Sequence, residues 1–116
     1  MRTEILYTNQ DCTIPSTSVV YTVDCGQDMR WMLQVVLSGT DGSPKMYIEE
    51  SADLVSWIPL NDNDCTGVFD YFLLDDSPYS VRDSYFMGKA FRIRIDPNDN
   101  TTGTIDAKLV VKTKSN

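Results

Sequence analysis

Strict alternation of apolar and polar side chains is the sequence feature that most constrains this fold. It is clearest late in the chain, where Phe91, Ile93 and Ile95 alternate with Arg92 and Arg94. Successive side chains of a β-strand point to opposite faces, so this pattern predicts a strand with one face in a core and the other in solvent. No stretch of helical length carries an apolar stripe at helical spacing.

Similar signals recur along the chain at intervals of roughly ten residues. They predict strands at residues 19–25, 30–37, 45–50, 57–60, 68–74, 90–96 and 102–112. The turn between the last two strands is rich in Asp, Asn and Gly, and it predicts that they form a hairpin. We therefore expect the all-β class: an antiparallel β-sandwich, jelly-roll or Ig-like, of about seven to eight strands.

The chain has 116 residues, a formal net charge of −7 and no histidine. Its length fits one domain, which we divide into an N-terminal arm at 1–18 and a β-sandwich at 19–116. The negative charge argues against a nucleic-acid partner, and no apolar stretch reaches the ~20 residues of a membrane span. Without histidine the chain alone cannot build a Ser-His-Asp or Cys-His site, so we expect no enzyme, catalytic residue, metal site or cofactor.

The cysteines are Cys12, Cys25 and Cys65. An odd number without Cys-x-x-Cys spacing does not describe a disulfide framework or a zinc site. The pattern favours a reduced protein made in the cytoplasm. A bridge between Cys12 and Cys25 stays open.

The acidic residues do not predict a catalytic pair. Glu49 and Glu50 are adjacent on a predicted strand, so their side chains point to opposite faces and cannot converge on a substrate. The oxygens of four residues in the turn before the last strand are compatible with a calcium ion, but ordinary turn chemistry accounts for the same residues and is favoured. These four are Asp96, Asn98, Asp99 and Asn100.

The tryptophans are expected inside the sandwich, because aromatic side chains carry a large buried area. Trp31 begins an inward-facing stripe, and Trp57 enters a short strand. Tyr47 lies opposite Met46 and Ile48 on its strand, which makes it the best exposed candidate for binding.

Two arginines, Arg92 and Arg94, project from the solvent face of their strand. They are predicted to pair with Glu49 or Asp106 on neighbouring strands. The alternative is that they bind carboxylates of a partner protein.

The first 18 residues contain apolar side chains without an obvious strand partner: Ile5, Leu6, Tyr7 and Ile14. We expect this arm to anchor the protein on a partner. On that interpretation, deletion of residues 1–18 leaves the sandwich folded.

Four stretches, taken in order, resemble small β-sandwich proteins encoded by tailed bacteriophages. They lie at 34–42 (a strand ending in Ser-Gly-Thr), 48–60 (a Ser-x-Asp-x-x-x-Trp turn), 91–95 (Phe-Arg-Ile-Arg-Ile) and 102–112 (a Gly-Thr-Ile strand closing on Lys). The likeness covers residues 33–112. Leu54 stands where such turns usually have glycine.

This resemblance implies a virion structural protein of the head-decoration, auxiliary-capsid or head-fibre type. The sequence also resembles proteins of crAss-like phages. Its partners would be the major capsid protein and other virion proteins, with a homo-oligomer left open. The implied location is the capsid exterior, after synthesis in the host cytoplasm. The alternative is a head-fibre or tail-associated adhesion module that binds host-surface glycan. The resemblance supplies no catalytic residues.

Overall fold

The protein is an all-β sandwich, as the alternation predicted. The computed structural model describes residues 2–22, 29–60, 71–75, 78–82 and 89–113. Within these ranges there is no helix, and ten strands are formed, more than expected because four of them have only two residues. In chain order they are β1 (Arg2–Asp11), β2 (Ser16–Thr17), β3 (Tyr21–Thr22), β4 (Met29–Ser38), β5 (Lys45–Ser51), β6 (Ile58–Pro59), β7 (Phe72–Leu73), β8 (Tyr79–Arg82), β9 (Ala90–Asp96) and β10 (Thr104–Thr113).

The strands form two antiparallel sheets. One has the order β1-β10-β4-β8, and the other is built on β2-β9-β5-β6. In the second sheet β3 also pairs with β9, and β7 also pairs with β5. The central pair of this sheet, β5 and β9, is in continuous register from Lys45 opposite Asp96 to Ser51 opposite Ala90. Within the strands predicted at 19–25 and 68–74, the described residues form β3 and β7, and residues 23–25 and 68–70 lie outside the described ranges.

The core lies between the two sheets and is filled from both. Leu33 and Leu109 come from one sheet and Ile48 and Ile93 from the other, and all four belong to one buried cluster. Burying each such side chain contributes about 1.5–3 kcal/mol. Trp31 is buried as expected, with its ring stacked on that of Phe91 at 6.1 Å between centroids.

The N-terminal residues are part of the sandwich, so the expected free arm at 1–18 is wrong. β1 pairs along β10, from Arg2 opposite Val111 to Asp11 opposite Thr104. The strand partner of this segment, which the sequence did not reveal, is therefore β10, near the other end of the chain. β1 forms hydrogen bonds with the backbone groups of β10 that β4 leaves unpaired.

A bulge in β1 decides which apolar side chains of this segment are buried. The register shifts between Ile5 and Tyr7, so Leu6 and Tyr7, although adjacent, are both buried in the core cluster. Ile5 stays 62% exposed on the outer face. The Tyr7 hydroxyl forms a hydrogen bond with Ser16 Oγ at 2.8 Å, which ties β1 to the other sheet.

The last two long strands do not form the predicted hairpin. β9 pairs with β5 and β10 pairs with β4, so the turn at 97–103 crosses from one sheet to the other. The segment 39–44, between β4 and β5, makes the opposite crossing beside it. Both crossings close the same end of the sandwich.

The side chain of Asn100 holds the two crossings together. Its Oδ1 accepts hydrogen bonds from the backbone N–H groups of Asp41 and Gly42, both at 3.1 Å. Its Nδ2 donates to the carbonyl oxygens of Thr102 and Cys12 at 2.8 and 3.3 Å. Asn100 is only 3% exposed, so these backbone groups have little water to replace it.

Glycine is required at Gly103, where the φ angle is +102° and a Cβ atom would lie 2.6 Å from the Ser38 carbonyl oxygen. Cys12, whose N–H donates to the Gly103 carbonyl, is a free and fully buried thiol. Burial raises the pKa of this thiol. Cys25 and Cys65 lie outside the described residues.

Substitutions in β1 test whether this segment is core or arm. We expect Leu6→Ala to lower the free energy of unfolding by about 2 kcal/mol, because it removes buried apolar volume. Ile5→Ala, at the exposed neighbouring position, should change it by less than about 0.5 kcal/mol. Urea unfolding followed by circular dichroism gives both values. Equal, small effects at both positions would support a free arm after all.

Substitution of Asn100 tests the closure of the sandwich end. Asn100→Ala should lower the free energy of unfolding by on the order of 2 kcal/mol, because buried backbone groups lose their partners. The control is Thr102→Ala, which removes one exposed hydrogen bond to the Gly39 carbonyl and should cost under about 1 kcal/mol. Chemical denaturation of both variants makes the comparison, and an unchanged Asn100→Ala would contradict the network's role.

Candidate interaction surface

The outer face of β5 and β9 brings three of the predicted binding residues together. Alternation along the two strands puts Tyr47, Glu49, Arg92 and Arg94 on this face, since their neighbours Ile48 and Ile93 enter the core. The register sets Arg94 opposite Tyr47 and Arg92 opposite Glu49. The surface is therefore a direct product of the sheet pairing.

One carboxylate serves both arginines. Arg92 Nε donates to Glu49 Oε1 at 3.0 Å, and Arg94 Nε lies 3.5 Å from the same oxygen. The predicted intramolecular pairing is thus made with Glu49. Glu50 is buried on the opposite side of the strand, so the two glutamates are separated as expected.

Aromatic rings extend this row of charges in both directions. The Arg92 guanidinium lies over the Trp57 ring at 4.5 Å, and that of Arg94 lies over the Tyr47 ring at 4.0 Å. Tyr47 packs against Tyr71 at 6.1 Å between centroids, and Lys45 Nζ lies 4.5 Å over the Tyr71 ring. We call this set the arginine–aromatic ladder; its members are Lys45, Tyr47, Glu49, Trp57, Tyr71, Arg92 and Arg94.

The ladder orders its side chains more than it stabilises the fold. A partly exposed ion pair contributes about 0–1 kcal/mol, and a cation over an exposed ring about 0.5–1 kcal/mol. The arginine side chains are 25% and 38% exposed, so these contacts stay partly solvated. The physical result is a row of aromatic rings and cations in mutual contact on the outer face of the sheet.

Trp57 is placed differently from the expectation. It is half-buried on the outer face beneath Arg92 and is not a member of the core cluster. Pro59 of the edge strand β6 lies directly opposite Glu49, and directly paired residues share a face. Trp57 precedes Pro59 by two residues, so it lies on the same face. Trp57 therefore faces outward with Glu49.

A tightly bonded turn follows β5 at the Trp57 end of the ladder. Ser51 Oγ accepts the N–H groups of Asp53 and Leu54 at 3.2 and 2.8 Å. Asp53 Oδ1 accepts those of Val55 and Ser56 at 2.9 and 2.8 Å. Side-chain oxygens thus take up four successive backbone donors, which fixes the turn.

The predicted apolar binding residues of the N-terminal segment do not join this surface. Leu6 and Tyr7 are in the core, and Ile5 lies on the outer face of the other sheet. Ile14 is 58% exposed, next to the closed end of the sandwich. Their role in binding a partner stays a prediction for Ile5 and Ile14, while burial of the other two assigns them to packing.

The sequence interpretation missed part of this surface. Lys45, Tyr71 and the turn 52–56 were not selected, and Trp57 was assigned to the interior. The available signal was the presence of an apolar side chain, Leu54, in a polar turn where glycine is usual. Cross-strand contacts such as that of Lys45 with Tyr71 depend on pairing between β5 and β7, which the sequence does not display.

A shallow depression lies on the outer face of the other sheet. Its volume is about 360 Å³, and it is lined by Ile5, Thr8, Gln34, Val36, Asp106 and Lys108. Asp106 Oδ1 accepts the N–H of Asn9 at 2.7 Å, so one of its few charged groups is already engaged.

Three of the four residues considered for calcium have a side-chain oxygen that accepts a hydrogen bond within the protein. Asp96 accepts the N–H of Asn98 at 2.9 Å, and Asp99 accepts the N–H of Ser43 at 2.7 Å. Asn100 serves the crossing segments as described above. Turn chemistry therefore accounts for these residues, and no group of three or more metal-binding side chains is found in the described ranges.

Comparisons with known proteins add no assignment: no family model, curated protein or solved structure matches this chain. In the part of the chain that the structure describes, no helix is long and apolar enough to cross a membrane.

The turn after β5 gives a prediction about pH. Hydrogen bonds from the N–H groups of Ser56 and Val55 hold the pKa of Asp53 below its ordinary value of 3.8. Because the pKa is lowered, the ionised carboxylate contributes its full stabilisation of the turn above the ordinary pKa of 3.8. This stabilisation is lost as the pH falls through the lowered pKa. NMR titration of the Asp53 carboxyl carbon should therefore give a midpoint below 3.8, with the Val55 and Ser56 amide signals moving in step. A midpoint at or above the ordinary value would mean that these hydrogen bonds are absent in solution.

Proposed function

We propose that this protein is a structural component of a bacteriophage virion, an auxiliary or decoration protein on the outside of the head. It binds neighbouring major capsid subunits and stabilises the shell, without catalysing a reaction. Binding only the assembled state shifts the assembly equilibrium by mass action, and many copies multiply weak individual contacts.

The observation that supports this proposal best is the arginine–aromatic ladder. Arg, Trp and Tyr are the side chains enriched at energetically important positions of protein interfaces. Here Arg92 contacts Trp57 and Arg94 contacts Tyr47 on one face of the sheet, so part of the side-chain freedom that binding would cost is already restricted. The resemblance to phage β-sandwich proteins is the reason for proposing a phage head as the particle to which the protein binds.

The glycan-binding alternative is less well supported by the same geometry. A sugar ring stacks on an open aromatic face. Arg94 covers one face of Tyr47, Arg92 covers one face of Trp57, and Lys45 covers one face of Tyr71. A sugar that stacks on these covered faces would have to displace the cations, whereas a protein partner can use ring edges and guanidinium groups together.

Purified particles of the phage that carries this gene test the proposal. We expect mass spectrometry to detect the chain in many copies per virion and cryo-electron microscopy to place the sandwich on the outer head surface. Heads from a gene deletion should release their DNA at a lower temperature than wild-type heads. A chain absent from virions would contradict the proposal, and one confined to the tail would favour the adhesion alternative.

A further inference from the structure

The tip of the turn after β5 has a backbone conformation that does not suit its residue. Leu54 has a φ angle of 66°, in the left-handed region where side chains with a Cβ atom are disfavoured and glycine is not. Leu54 is also 44% exposed, so packing in the core does not repay the strain. Strained, exposed residues of this kind concentrate at functional sites.

The next residue adds a second unfavourable feature. Val55 is 80% exposed, the highest value among the large apolar side chains in the described ranges. The turn is not loose, because Ser51 and Asp53 fix its backbone through the hydrogen bonds described above. The protein therefore holds two aliphatic side chains in water on a rigid support.

Within the described residues, the two arginines of the ladder have hydrogen-bonding capacity beyond their contact with Glu49, and Arg92 is the one nearer the turn. Arg92 and Arg94 each use Nε for Glu49, and the terminal nitrogens of both groups donate to no acceptor in the described part of the chain. Among the described residues, these two guanidinium groups share the one carboxylate of Glu49, so the ladder carries more positive than negative charge although the chain has a net charge of −7. This group is complementary to a carboxylate on another molecule.

We infer that the turn 52–56, with the Trp57–Arg92 contact beside it, is the site at which this protein docks on a neighbouring capsid subunit. The partner surface has an apolar pocket for Leu54 and Val55 and a carboxylate at its border for the arginines. This inference rests on the proposed function and assigns its contact residues. Docking is favoured because it removes the two exposed aliphatic side chains from water.

Heads from the gene-deletion phage provide the probe, with purified protein added back and the bound fraction measured by sedimentation at increasing protein concentration. We expect Val55→Asp and Val55→Ser to weaken binding at least tenfold, with unfolding curves like those of the wild type. Val19→Asp is the matched control: it adds the same charge at an exposed apolar position between β2 and β3, at the opposite edge of this sheet from β6, and it should bind normally.

Leu54→Gly separates docking from folding. It relieves the positive φ angle, so its unfolding midpoint should equal or exceed that of the wild type, while its binding falls at least tenfold. Arg92→Gln should weaken binding and reduce its dependence on salt, because it removes the cation beside Trp57 that meets the carboxylate.

The outcomes distinguish this inference from the proposed function. Wild-type protein that binds heads, together with undiminished binding by the Val55 or Leu54 variants, overturns the docking site and leaves the head location standing. An equal loss in Val19→Asp overturns it as well, since net charge would then explain the effect. Wild-type protein that does not bind heads at all overturns the proposed function, and this inference falls with it.

Discussion

The structure depends on aliphatic side chains from two sheets filling one core. The inward stripe of β9, carried by Ile93 and Ile95, and that of β10, carried by Ile105 and Leu109, are buried almost completely. Each sheet buries this stripe only by packing against the other. The outer face of β5 and β9 is thereby left for the polar and aromatic side chains of the ladder.

The two ends of the sandwich are held by different hydrogen-bonded arrangements. At one end, Asn100 and the crossing segments 39–44 and 97–103 satisfy backbone groups where the chain changes sheets. At the other end, Ser51 and Asp53 fix a turn that projects aliphatic side chains into water. The first arrangement explains stability, and the second has no evident benefit for the isolated chain, which is why we connect it with binding.

Burial pattern was the most predictable property of this protein. The alternation around Ile93, the inward stripe from Trp31 and the outward placing of the arginines all follow from side chains alternating along a strand. The assignment of Trp57 to the core failed because residue type favours burial on average, whereas the face of an edge strand is set by its partner. The partner of β1 was equally hidden, since Arg2 and Val111 are paired across nearly the whole chain.

The sequence by itself determined the class of fold, the faces of the long strands and the exclusion of histidine-based chemistry. These are local properties, written in the period of the side chains and in composition. Only the tertiary structure decided that β9 and β10 lie in different sheets, that β1 closes the edge of β10, and that Arg92, Arg94, Tyr47 and Trp57 form one surface. The physical reason is that a period-2 stripe is the same for a hairpin and for two strands facing each other across a core, so long-range pairing had to choose between them.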